Sequence, residues 1–225
     1  MSTPPPALAS VWRARPVAGP LFDASRLSPA SVDASWQPLV QGWRPDGPEP
    51  GFHPGWARVG WHGSFLRYDA VFVGAGAGNR ARRLNERTWE LGDICEVFLQ
   101  VSGQPLYLEL HITPENQRLQ LLWPPDGLER FRRGEAPLAN FQIDLGDWVR
   151  SAVHVAPDYW VAQALIPANV LGLPLFSAQL ALDTTVCRYD YSGRPEPVYS
   201  ATAPLTEPSY HRRHEWQRLV LEGGA

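Results

Sequence analysis

The sequence predicts an all-β fold, an antiparallel β-sandwich of jelly-roll type with at most one or two short helical turns. Three observations predict it. Short apolar runs with period-two alternation recur along the chain, and turn signals separate them. Twenty-three prolines and nineteen glycines suit many turns, and would break long helices at a cost of ~3 and ~1 kcal/mol each. Aliphatic and aromatic residues make up 44% of the 225 residues, enough for a sizeable core without disulfide staples.

In chain order, residues 1–20 are rich in Pro and Ala and are expected to form a flexible segment, with 21–225 a single sandwich domain. Residues 22–54, broken by prolines and marked by Trp36 and Trp43, are expected to pack as short strands and loops on the sandwich edge. Ala57 to Trp61 and Ser64 to Val73 read as a hairpin turning at His62-Gly63. In its second arm Leu66, Tyr68, Ala70 and Phe72 share one face, and Arg67 and Asp69 the other. The following Gly74-Ala75-Gly76-Ala77-Gly78-Asn79 carries a superficial nucleotide-loop look. It lacks the full G-x-G-x-x-G spacing and any βαβ context.

From Trp89 onward the alternation is strongest. Cys95, Val97, Leu99 and Val101 fall on one face, and Ile94, Glu96 and Phe98 on the other. From Leu106 to Thr113, Leu108, Leu110 and Ile112 point inward while Tyr107, Glu109 and His111 point outward. Two neighbouring strands thus each place a carboxylate on a face that also carries aromatics, the composition of an interaction surface. Further strands are expected at Leu119–Trp123, Phe141–Leu145, Ser151–Ala156, Trp160–Leu165, Leu180–Tyr191 and Arg218–Leu221. A short helical turn ended by glycine is expected at Ile166–Gly172.

Charge and cysteine content exclude several classes. The net charge is −3, every one of the twenty basic residues is arginine, and their only clusters are 80–83 and 130–133, so no basic face for nucleic acid is expected. No stretch approaches the ~20 apolar residues of a membrane span. The first seven residues lack the basic and apolar regions of a signal peptide, which leaves a cytoplasmic location as the default. Cys95 and Cys187 match no zinc or redox spacing and lie in apolar runs, so they read as buried free thiols, or as one disulfide if their strands are neighbours. His211 and His214, three apart but without helical context or a third ligand, read as non-metal, and the spacing of His53, His62 and His154 suggests no metal either.

The ordered set of segments resembles the family-nine carbohydrate-binding modules, a DOMON-like β-sandwich. Trp89 followed by Asp93-Ile94-Cys95-Glu96-Val97-Phe98 resembles the family's aromatic and D-x-x-E-x-F signature. Tyr107-Leu108-Glu109, the stretch from Trp160 to Pro167, Cys187-Arg188-Tyr189-Asp190, and Ser209-Tyr210-His211 through Leu219 resemble its later strands. The likeness spans residues 57–222.

The resemblance implies a non-catalytic domain that holds a mono- or oligosaccharide, a chain end among the options, beside separate carbohydrate-active enzymes. It places an aromatic pair at Trp89 and Tyr210. The polar floor beneath them comprises Glu96, with Glu109, His111 and Arg188 as neighbours. Aromatic plates suit the apolar C–H faces of pyranoses, while carboxylates and arginine bind vicinal hydroxyls. Glu96 and Glu109 would repel unless Arg188, His111 or a cation lay between them. No cofactor is expected, structural calcium being an option that the family allows.

Three other functions compete. A glycosidase would use Glu96 and Glu109 as its carboxylate pair. A haem domain on a similar sandwich would need an internal methionine for Met/His ligation, and Met1 is the only methionine; bis-His ligation stays open. An interaction or structural scaffold on the same fold without sugar binding is the runner-up.

Overall fold

The structure is a computed structural model of the chain, described here for residues 11–19, 22–143 and 149–223. Its strands are β1 (Val11–Pro16), β2 (Gln37–Pro38), β3 (Gly55–His62), β4 (Phe65–Val73), β5 (Ile94–Val101), β6 (Tyr107–Ile112), β7 (Arg118–Trp123), β8 (Arg150–Val155), β9 (Tyr159–Pro167), β10 (Ala181–Asp190), β11 (Val198–Ala201) and β12 (Gln217–Leu221). Helical structure among the described residues is confined to one six-residue helix, α1 (Gly127–Arg132), and to 3-10 turns of three or four residues. Among the described residues, no helix is long and apolar enough to cross a membrane.

The strands form one curled sheet in the order β7-β6-β5-β10-β12-β1-β3-β4-β9-β8, with β11 on β10 and β2 on β3. It folds over on itself, so the β5–β6–β10–β12 half faces the β3–β4–β9 half. The expected alternation holds. Val97, Leu99, Leu108, Leu110, Leu182, Val186 and Leu219 of one half meet Ala57, Leu66, Tyr68, Phe72, Trp160 and Ile166 of the other in the main core. Among the described residues, all strand pairings are antiparallel except those of β1, which runs parallel to β12 through residues 11–14 and then parallel to β3 through 15 and 16. This one strand crosses from half to half.

Two outer clusters flank that core. Ala24, Leu27 and Trp36 cover Val71 and Val161 on the outer face of β4 and β9, so this part of the segment 22–54 packs on a face and not on the expected sandwich edge. On the outside of β5, β6 and β7, α1 and the segments 136–141 and 201–216 pack over Phe98, Tyr107, Leu119, Leu121 and Trp123. The face expected to be open therefore carries a second layer.

Several expectations change. Val11–Pro16 lie within the segment expected to be flexible, yet Trp12 and Ala14 are buried on the β1 inner face. Arg13 and Arg15 point outward, a period-two pattern that the flanking prolines obscure. The hairpin turn is Gly63-Ser64, because His62 pairs with Phe65. Phe141 ends a 3-10 turn, and Gln142 makes only an isolated bridge to Leu121; residues 144 and 145 of that expected strand lie outside the described residues. No helix follows the Gly74–Asn79 loop; Gly78 and Asn79 instead donate backbone N–H groups to Asp93 and Glu115.

Cys95 and Cys187 are both buried and free. Although β5 and β10 are neighbours, Cys187 sits opposite Glu96 and Cys95 opposite Arg188. Residues paired across a ladder share a face. Cys95 thus points into the main core and Cys187 into the outer cluster, so a bond between them is excluded.

Candidate functional site

The outer cluster encloses a cavity of about 270 Å³. Its floor is the outward row of β5 and β6, where Glu96 stands opposite His111. Its walls include Trp89, Trp123, Tyr189, Tyr210 and His211, with Arg132 of α1 on the exposed side.

Local sequence sets the Trp89 wall. Thr88–Glu90 form a 3-10 turn entering β5. Gly92 has φ of +144°, and a Cβ there would come within 2.2 Å of the Gly78 carbonyl oxygen, so glycine is required for the turn to pass so close. The Asn79 side chain donates to the carbonyls of Thr88 (2.9 Å) and Asp93 (3.2 Å), and Tyr191 Oη donates to the Trp89 carbonyl at 2.9 Å. These bonds fix the backbone on both sides of the half-buried indole. The indole meets the His111 ring edge-on at 5.8 Å.

The floor is a compact acid–imidazole group. Glu96, Glu109 and His111 are 2%, 5% and 1% exposed. His111 Nε2 lies 2.8 Å from Glu109 Oε1 and 3.1 Å from Glu96 Oε1, and its Nδ1 is 2.8 Å from Thr88 Oγ1. Trp123 Nε1 donates to Glu109 Oε2 at 2.6 Å. His211 Nε2 stands 3.8 Å from that same oxygen, while its Nδ1 is 3.0 Å from Tyr107 Oη.

These contacts divide two like residues. Burial, with the Glu109 charge adding to it and His111 opposing it, pushes Glu96 up to about 8. Burial also works against ionised Glu109, but His211, His111 and the Trp123 hydrogen bond outweigh it and hold that carboxyl below its usual value. For His111, burial favours the neutral ring, and the two carboxylates overcome it and raise its pKa. His211 is lowered by burial, against the pull of Glu109.

Of the six residues expected at the site, Trp89, Glu96, Glu109, His111 and Tyr210 line this one cavity. Tyr210 is 4% exposed, and its hydroxyl donates to the Arg188 carbonyl (2.7 Å) and accepts from Ser200 N–H (3.1 Å), so it offers the cavity a ring and no free hydroxyl.

Arg188 is elsewhere. It pairs with Cys95 across β10 and β5, on the inner row, and cannot reach the floor opposite. Its guanidinium lies over the Phe72 ring, donates to the Val73 carbonyl at 2.8 Å and sits 3.3 Å from Asp190 Oδ1. Of the groups expected to separate the two carboxylates (Arg188, His111 or a cation), it is His111 that lies between them.

Trp123 and Tyr189 join the site without having been expected there, as does His211, which was weighed only as a metal ligand and read as non-metal. Alternation places Trp123 on the outward row beside Tyr107 (Tyr107 pairs with Trp123 across β6 and β7), so a signal existed for it. His211 arrives from a loop 104 positions beyond its partner Tyr107, and no local pattern marks it.

No family model and no curated protein matches this sequence. Solved structures do. A candidate carbohydrate-binding protein from Bacteroides uniformis aligns with a TM-score of 0.68 and 16% identity over 94% of this chain and 97% of that one. A family-nine module from Caldicellulosiruptor kristjanssonii in complex with cellotriose aligns at 0.63 and 11% identity, covering 96% and 95%. The fold is CBM9-like. A family-nine structure from the same organism in complex with glucose gives 0.58 and 13% identity, over 95% and 97%. The CBM9-like fold was expected from the order of the Trp89–Phe98, Trp160–Pro167 and 187–190 segments.

Proposed function

We propose that this CBM9-like domain is a non-catalytic carbohydrate binder, with its sugar held in the cavity beneath Trp89. The observation that carries the reading is the coexistence in one cavity of aromatic walls and a carboxylate floor. Rings from Trp89, Tyr189 and Tyr210 offer faces or edges to the apolar side of a pyranose. Glu109, held ionised, accepts from hydroxyls, and Glu96, held protonated near neutrality, donates. The family-nine structures of similar fold contain glucose and cellotriose, which supports the same ligand class. The cavity is near the lower end of the ~300–1,000 Å³ range of small-molecule sites, which favours a mono- or disaccharide unit.

Hydrolysis fits the geometry less well. Glycosidases hold their carboxyls ~5–5.5 Å or ~6.5–9.5 Å apart across a scissile bond. Here one oxygen of each carboxyl touches the same imidazole nitrogen, so the pair has no room for a glycosidic oxygen between them.

The test is a titration with glucose, xylose, cellobiose and xylobiose, with and without calcium, followed by tryptophan fluorescence. Saturable binding between millimolar and micromolar is expected, roughly −4 to −8 kcal/mol, and Trp89→Ala should weaken it at least tenfold. A folded sample that responds to none of them would leave the interaction-scaffold reading in its place.

A further inference from the structure

We propose that Glu96, Glu109 and His111 form a binding site for one divalent transition-metal ion of the zinc class, with His211 beside Glu109 as a neighbour that helps to hold that carboxylate. One donor atom from each of the three residues lies within 4.8 Å of the others. The two Nε2–oxygen separations at His111, 2.8 and 3.1 Å, come close to the ~3.3 Å between neighbouring donors around a tetrahedral ion with ~2.0 Å bonds. A small outward shift of the carboxylates would admit the ion in place of the shared proton.

The orientation of both imidazoles supports the site independently of that spacing. His111 Nδ1 is engaged by Thr88 Oγ1, and His211 Nδ1 by the Tyr107 hydroxyl. Each ring is thereby fixed with Nε2 turned toward the Glu109 carboxylate, at 2.8 Å and 3.8 Å. Fixing the outer nitrogen of a histidine is how metal sites hold their ligands in place. The carboxylates are nearly fully buried, and among the described residues their ion pairs are with these two histidines and with no arginine. Ionised, buried Glu109 requires a compensating charge, and a divalent ion would supply it and also that of Glu96 once the ion displaces the Glu96 proton.

Donor chemistry sets the class of ion. Calcium takes six to eight oxygens at ~2.3–2.6 Å and magnesium an octahedral oxygen shell. A set of two carboxylates and one imidazole, completed by water, suits zinc, and cobalt as its spectroscopic substitute. The cavity above the floor gives the ion a route in and leaves a coordination position open to water or a ligand hydroxyl. The proposal stands apart from sugar binding, because the ion is tested with no sugar present.

The experiment is a calorimetric titration of the chelator-stripped full chain with zinc chloride. One ion per chain is expected, with a micromolar or tighter dissociation constant. Cobalt(II) bound in its place should show the intense visible bands of four- or five-coordination. Glu96→Gln should weaken zinc at least a hundredfold, with circular dichroism confirming that the variant is folded. If Glu96→Gln fails to fold, zinc-edge X-ray absorption of the unsubstituted protein decides. Imidazole in the first shell supports the site, and an all-oxygen shell overturns it. No saturable heat from folded protein, or undiminished binding in a folded Glu96→Gln, would overturn it as well.

Discussion

Glu96 and Glu109 show how far neighbours can separate two residues of one type. Both are buried on adjacent strands and both touch His111 Nε2, yet Glu109 also has the Trp123 N–H and the nearby His211. The split has a consequence for stability in metal-free protein. Glu96 is raised from 4.5 to about 8, so its contribution is complete below pH ~4.5 and is lost as pH rises through 8. His111 is raised from 6.5 and likewise loses its contribution above that value, whereas lowered Glu109 loses its own only in acid. Between pH 6.5 and 9 the losses at Glu96 and His111 run in the same direction, and the melting temperature in chelator should fall. Glu96→Gln should flatten that slope, and a profile equally steep in the variant would contradict the assignment. The sequence showed Glu96, Glu109 and His111 sharing an outward row, because strand alternation needs only local information. It misplaced Arg188. Deciding which face of β10 meets which face of β5 requires their register, and a one-residue shift moves every side chain across the sheet.

Among the elements, β1 departs most from expectation. Prolines and alanines dominate the text before it, and the alternation Trp12-Arg13-Ala14-Arg15 is too brief to stand out. Yet Trp12 is 1% exposed and meets Tyr68 edge-on at 6.5 Å. Trp12→Ala should cost about 3 kcal/mol in denaturant-induced unfolding, the lower part of the range for removing a buried indole, since no hydrogen bond to its N–H is lost. A loss below ~1 kcal/mol would mean that β1 is dispensable. The helix α1 was illegible for a different reason: six residues give one apolar pair at helical spacing, Leu128 and Phe131, after a Pro-Pro-Asp-Gly turn signal. By contrast β5, β6, β9, β10 and β12 were read within a residue or two, their apolar rows being long enough to show a period.

At the scale of the whole molecule, most strands of the sandwich were legible, β1 and β11 aside, and the layer outside them was not. Alternation reports that a strand has two unlike faces, and it cannot report that a loop returns to bury the polar one. That is why the floor, read as an open surface, lies beneath α1 and the 201–216 segment. The thiols offer a measure of how the layers hold together. Cys95 and Cys187 sit back to back in the central strands β5 and β10, one in each core, and burial raises both pKa values. Neither should react with a thiol reagent in native protein, and both should label at one common slow rate set by global opening. Clearly faster labelling of Cys187 would show the outer layer lifting away from an intact sandwich. The crossing strand β1 imposes an order of events as well. Its partner β12 lies about two hundred positions further along the chain. During synthesis, residues 15 and 16 can pair with β3 early, whereas residues 11–14, Trp12 among them, must wait for their partner until the last strand has emerged.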